Sequence, residues 1–216
     1  MPVSSLLLSL IASYLLGSIP TALIAGKIIA GMDIRKHGSG NAGATNIYRL
    51  FGLKPYLAVL GIDMLKGFIA VAVVADFGAG FFSMERTGLY CGLCAVAGHI
   101  WTVFAGFRGG KGVATAAGVF LALNAPVAVS AIAVYLIVTL TTRYVSLGSM
   151  TAAVAAPIFL IVDAAVFGRY VPGAMIAAAV ALAGLIVYTH RENIRRLMKG
   201  EERKTDFLKR KKRSRR

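Results

Sequence analysis

Residues 113–142 read VATAAGVFLALNAPVAVSAIAVYLIVTLTT, thirty residues without a charge. As one helix this stretch would run about 45 Å, half as long again as the ~30 Å hydrocarbon core of a bilayer. Asn124, Ala125 and Pro126 stand near its middle. Proline lacks an amide donor and pushes its predecessor out of helical conformation, so the stretch is expected to divide into two apolar passes, the first of them short. The division matters for the whole chain, because one pass or two decides which face receives every later loop.

Outward from that break the rest of the chain is equally apolar. Its 216 residues are 57% hydrophobic and 15% charged, with a mean hydropathy of +0.73 that lies well above a soluble domain of this size. The expectation is an all-α integral membrane protein. Val3 to Ala30 forms one long span, softly broken around Gly17 to Pro20, and Leu53 to Ala75 and Gly88 to Phe104 are the next two. Ser146 to Val166 and Val171 to Thr189 follow the divided stretch, which makes about seven transmembrane helices. The first side-chain charge is Lys27, so there is no basic leader and the first span is read as retained. Cys91 and Cys94 have no second pair to complete a metal site and read as small packing residues.

Lysine and arginine in short loops set orientation. With seven spans, Arg35, Lys36, Arg49, Arg108, Lys111, Arg143 and the basic tail share one face, against Arg86 and Arg169 on the other. The cationic loops and C-terminus are therefore expected in the cytoplasm and the N-terminus outside it. Residues 1–198 read as a polytopic membrane domain and 199–216 as a basic cytoplasmic tail. The formal charge of +15 is concentrated in that tail and the loops. Its expected partners are the bilayer and anionic lipid headgroups, with no nucleic acid.

Three polar segments fall at the cytoplasmic ends of apolar helices. The first, KHGSGNAGATNIYR at 36–49, crowds small donors before a closing Arg49. The second, GFRGGKGVAT at 106–115, surrounds Lys111 with glycines and opens a helix, although it lacks the spacing of a Walker loop. Glycine nests and helix N-termini favour oxyanions. The third, HRENIRRLMKGEERK at 190–204, would place His190, Asn193 and Leu197 on one face of a continued helix. Each reads alone as a turn, an anchor or a cap; together they read as a surface site for one or two phosphates. Neither paired carboxylates nor a metal-ligand cluster is apparent, so no cofactor is expected.

The segments GSGNAGATNIYR, GHIWTVFAGFRGGKGVAT and HRENIRRLMKGEERK, with DMLKG at 63–67, resemble the signature motifs of the PlsY family of bacterial acyl-phosphate:glycerol-3-phosphate acyltransferases, in order and over most of the chain. Ala42 and Thr102 stand where the family pattern has proline. The resemblance implies an enzyme of phospholipid biosynthesis in the bacterial inner membrane. It would move a fatty acyl group from acyl phosphate to the 1-hydroxyl of glycerol 3-phosphate, giving lysophosphatidic acid and phosphate. It implies catalytic roles for Ser39, Arg49, Lys111, His190 and Asn193. Asn41, Thr45, Asn46, Arg108, Gly109, Gly110 and Gly112 would bind substrate, and Glu202 would be structural. Asp63 and Lys66, three apart inside a span, join the site or form an internal ion pair. The proton acceptor is either His190 or a substrate phosphate, with His190 then a binding donor. The rival readings are a small anion transporter and a membrane adaptor.

Overall fold

The computed structural model describes residues 2–207, and those residues contain helices and no strand. In chain order they form α1 (Pro2–Gly17), α2 (Thr21–Ala30), α3 (Ala44–Phe51), α4 (Leu53–Ile69), α5 (Ala75–Phe77), α6 (Met84–Ile100), α7 (Val113–Leu123), α8 (Ala125–Thr142), α9 (Val145–Phe167), α10 (Gly173–Thr189) and α11 (Arg191–Met198). A π-helical turn, Ala70–Val74, joins α4 to α5. The soft break in the first span falls between α1 and α2, where the sequence puts Gly17 to Pro20.

Five helical segments are long and apolar enough to cross a bilayer, and α10 with α11 makes a sixth when the 58° bend between them is counted as one broken span. The multi-pass membrane character expected from composition holds. The count of seven depends on α7, whose 11 residues extend about 16 Å, short of an unbroken crossing.

The thirty-residue stretch does divide at Asn124. That residue is extended at φ −154° and ψ 86°, and its Oδ1 accepts the Val127 N–H at 3.1 Å, starting a new helix with proline in the first turn. The two ends of the stretch return to the same place. Lys111, just before α7, bonds Asn193, which bonds Glu202; Ser146, just after α8, bonds the same Glu202. Its middle lies far away, since Asn124 donates to Asp163 at 3.1 Å, and Asp163 is 17 residues along α9 from Ser146. That separation is about 26 Å of helix. The stretch leaves one face and comes back to it.

Lipid tails are as apolar as leucine, so membrane helices associate through close packing more than by exclusion of water. Small residues provide it here. A Cβ at Gly118 would lie 1.8 Å from the Met64 carbonyl oxygen, and one at Gly67 would lie 2.2 Å from that of Thr115, so α4 and α7 touch backbone to backbone. A larger core joins Val96, Val119, Phe120, Val127, Leu160, Leu182 and Ile186 from α6 to α10. A smaller one, Ala22, Ile34, Ile47 and Val59, seats the polar loop after α2 onto the membrane helices.

Two elements differ from expectation. The loop at 31–52 contains α3, and the last span does not run on through residue 190 but bends there. The basic tail also departs from a free extension beginning at 199. Thr205 N–H donates to the Arg143 carbonyl at 2.7 Å, Tyr48 donates to that of Asp206 at 2.6 Å, and Phe207 packs on Tyr48 and Tyr56 with ring centroids 4.6 and 5.3 Å away. Residues 208–216, which carry most of the tail's charge, lie outside the described residues.

Candidate active site

Glu202 is the hub of the site. Its side chain is 3% exposed, and Oε1 accepts from Ser146 Oγ at 2.8 Å and Asn193 Nδ2 at 2.7 Å, while Oε2 accepts from Arg196 Nε at 2.7 Å. Burial raises its pKa, but the bonds from Arg196, Asn193 and Ser146 outweigh burial and hold it below the usual carboxylate value. The acid thus joins the start of α9, helix α11 and the chain after it. Asn193 Oδ1 in turn receives Lys111 Nζ. A single orientation of the Asn193 amide satisfies both neighbours.

Lys111 stands on the residue before the left-handed Gly112 (φ 84°) that starts α7. Burial lowers its ammonium to about 8, with Arg196 and Arg49 adding like charge and Glu202 opposing them. Arg49, from α3, is likewise lowered by burial first, then by Arg203 and Arg196, against the attraction of Glu202. Arg49, Lys111, Arg196 and Arg203 therefore act on one another around a single buried acid. Such a surplus of cations fits an anion.

His190 sits at the bend between α10 and α11, 3% exposed. Its Nδ1 is 2.7 Å from the Ile186 carbonyl oxygen, which can only accept, so Nδ1 carries the proton and Nε2 a lone pair. Burial and then the Lys111 cation lower its pKa to about 4. His190 is neutral at pH 7 and its free nitrogen accepts. This reverses the role of binding donor to a phosphate: Nε2 suits a hydroxyl.

The first loop behaves as a shaped support. Asn46, 1% exposed, donates to the carbonyls of Ile34 at 2.9 Å and His37 at 3.1 Å and accepts the Ser39 N–H at 2.9 Å. Both amide hydrogens are used within the loop, so Asn46 works as a latch there. The latch orients half-buried Ser39, and Arg203 ties the same loop by donating to the Gly38 carbonyl at 2.9 Å. Asn41 and Thr45 are half-buried at the entry to α3.

The glycine loop also works differently from a nest of free amides. Gly109 N–H donates to the Ile100 carbonyl and Gly110 N–H to that of His99, both at 3.0 Å. Cβ atoms there would meet His99 O at 2.0 Å and His99 Nε2 at 2.2 Å. Glycine is needed at 109 and 110 because the loop lies against His99, which leaves Lys111 and the start of α7 to face an anion. Arg108 is exposed and lines a hollow of about 630 Å³ with Asp33, Arg35, Lys36 and Gly109. Asp63 and Lys66 form an ion pair at 2.9 Å, both 3% exposed at the side chain. Among the described residues no group of three metal-ligating side chains gathers.

The profile of the glycerol-3-phosphate acyltransferase family matches residues 7–200, nearly the whole described chain. The chain belongs to that family. A glycerol-3-phosphate acyltransferase from Bacillus cytotoxicus is 47% identical over 206 residues, covering 95% of this chain and 98% of the relative. One from Chlorobaculum parvum is 42% identical over 224 residues, covering 90% and 94%. The crystal structure of PlsY (YgiH), an integral membrane glycerol 3-phosphate acyltransferase, in its glycerol 3-phosphate form, superposes with a TM-score of 0.83 at 42% identity. It covers 94% of this chain and 97% of that one. Thr102 Oγ1 donates to the Ser18 carbonyl, pinning the loop to the break in the first span.

Four site residues escape a sequence-only reading: Ser146, Arg196, Arg203 and His99. Arg196 was within reach, since it lies one helical turn after Asn193.

Proposed function

We propose that the protein transfers a fatty acyl group from acyl phosphate to the 1-hydroxyl of glycerol 3-phosphate, giving lysophosphatidic acid and phosphate. The observation that carries this reading is the cluster of Arg49, Lys111, Arg196 and Arg203 around one buried acid, beside a neutral His190. Two phosphates brought together repel, and fixed cations offset that repulsion where water is excluded. Lys111 and Arg49 hold phosphate oxygens. Ser39, Asn41 and Thr45 line the loop side, Asn193 orients Lys111, and His190 Nε2 accepts a hydrogen bond from the attacking hydroxyl.

The hydroxyl oxygen then forms a bond to the acyl carbonyl carbon. The bond from that carbon to the bridging phosphate oxygen breaks, and phosphate leaves with the electron pair. A histidine with pKa near 4 is a weak base, so the proton passes to a substrate phosphate oxygen. Positioning supplies most of the acceleration, because acyl phosphate is already activated. The site faces the cytoplasm of a bacterium, and α7 with α8 completes seven passes that leave the N-terminus outside. The basic residues 208–216 hold anionic lipid headgroups.

The test is product formation by purified protein from palmitoyl phosphate and glycerol 3-phosphate, beside Lys111→Ala and a parallel reaction with palmitoyl-CoA. Lysophosphatidic acid from acyl phosphate alone, lost in the variant, is expected. Product from palmitoyl-CoA alone would overturn the choice of donor.

A further inference from the structure

Behind the glycine loop lies a buried polar chain that the acyl transfer does not use. Lys66 donates to the Ile19 carbonyl at 3.1 Å and pairs with Asp63 at 2.9 Å; Asp63 Oδ1 lies 3.6 Å from His99 Nδ1. The other edge of the His99 ring is pressed against Gly110. A Cβ on that glycine would meet ring atoms Nε2, Cε1 and Cδ2 at 2.2, 2.9 and 3.1 Å. A hollow of about 10 Å³, no larger than one water, is lined by Asp63, His99, Thr102, Gly109 and Gly110. The chain thus runs from the break in the first span, through α4 and α6, to the residue before Lys111. Ionisable groups at such depth are costly to retain.

We propose that His99, packed beside Asp63, is a positioning residue: its ring is the seat on which Gly110 rests, and it sets where Lys111 meets substrate phosphate. Geometry separates this role from plain structural support. The groups crowding Gly110 are all in the His99 side chain, whereas those crowding Gly109 are backbone atoms of His99 and Ile100. Shrinking the ring makes room at 110 and none at 109. The proposal rests on the reading that Lys111 binds the phosphate of glycerol 3-phosphate.

The experiment is a double-substitution cycle in detergent-purified protein, reading KM for glycerol 3-phosphate and kcat separately. Gly110→Ala and His99→Ala are each expected to raise KM by roughly tenfold, the order of a sub-ångström misplacement. Together they are expected to raise it less than Gly110→Ala alone, while Gly109→Ala with His99→Ala shows no such relief. Equal effects of Gly110→Ala in both backgrounds would overturn the proposal. Where Gly110→Ala gives no folded protein by size-exclusion chromatography, folding recovered by adding His99→Ala supports the seat, and no recovery with unchanged KM in His99→Ala alone refutes it. Lys111→Ala measured alongside keeps the two readings apart: an unchanged KM there would sink the phosphate assignment, and relief at 110 would still establish the seat.

Discussion

At the scale of single residues, the site is a contest between burial and charge that burial wins at Lys111 and loses at Glu202. The ammonium, lowered to about 8, begins to lose its proton just above neutrality. Affinity for glycerol 3-phosphate is therefore expected to fall as pH rises, KM increasing by about tenfold per unit above the free-enzyme pKa. A KM–pH profile of Lys111→Arg, whose guanidinium stays charged, should be flat over the same range. Glu202 has the opposite sign. Its folded pKa is depressed, so its contribution to stability is present above the unfolded value and lost as pH falls through the folded one. Glu202→Ala leaves Ser146, Asn193 and Arg196 without their acceptor, at about 1–3 kcal/mol for each group left unsatisfied and buried. A thermal melt in detergent should fall clearly against wild type. Lys111, His190 and Asn193 stood out in the sequence only in combination, as polar segments at one end of apolar helices that resemble family motifs, and the Lys111–Asn193 bond brings two of those segments together. Asn46 was not, because its bonds to Ile34 and His37 span 12 and 9 residues, and no periodicity records a loop closing on itself.

At the scale of elements, Asn124 decides the path of the chain. Its side chain caps α8 through Oδ1 and reaches Asp163 through Nδ2. Asn124→Ala should cost about 1 kcal/mol for the cap alone and more for Asp163 Oδ2 left without its donor, Oδ1 staying paired with Arg169, measured by unfolding in denaturant. Gly118→Val is expected to be far worse. Its Cβ would start 1.8 Å from the Met64 backbone, and a backbone atom cannot rotate away; loss of monodisperse protein on size exclusion is the readout. The break at Asn124 was plain in the sequence because Pro126, two residues on, suits the first turn of a new helix better than the interior of a continuous one. The eight-residue α3 was hidden, since a short amphipathic helix inside a glycine-rich loop has too few turns for a pattern, and it forms because Ile47 can bury itself against Ala22 and Val59. The bend at His190 was hidden too: nothing in HREN breaks a helix, and tertiary bonding to Lys111 and Glu202 redirects α11.

At the scale of the molecule, the polar segments on one end and Asp163 with Arg169 at the other define two faces. Of single cysteines at Lys36 and Arg169, only the one at 169 should react with an impermeant maleimide added to intact cells and the one at 36 only after the membrane is opened; the same behaviour at both would overturn the seven-pass path. The fold class and the converging site could be read from sequence, because hydropathy and loop charge are summed over many residues. The packing of residues 201–207 against Arg143, Tyr48 and Tyr56 could not, since a charged stretch past the last span gives no sign of where it lands.

Glu202 follows every span in chain order, yet it holds both Asn193 and Ser146. While the protein is being made, each helix can enter the bilayer with its cations in place, but Ser146 and Asn193 lack their shared acceptor until the residues after α11 leave the ribosome. Catalysis is then a late event in biogenesis: the spans are made before the residue that joins Ser146 to Asn193.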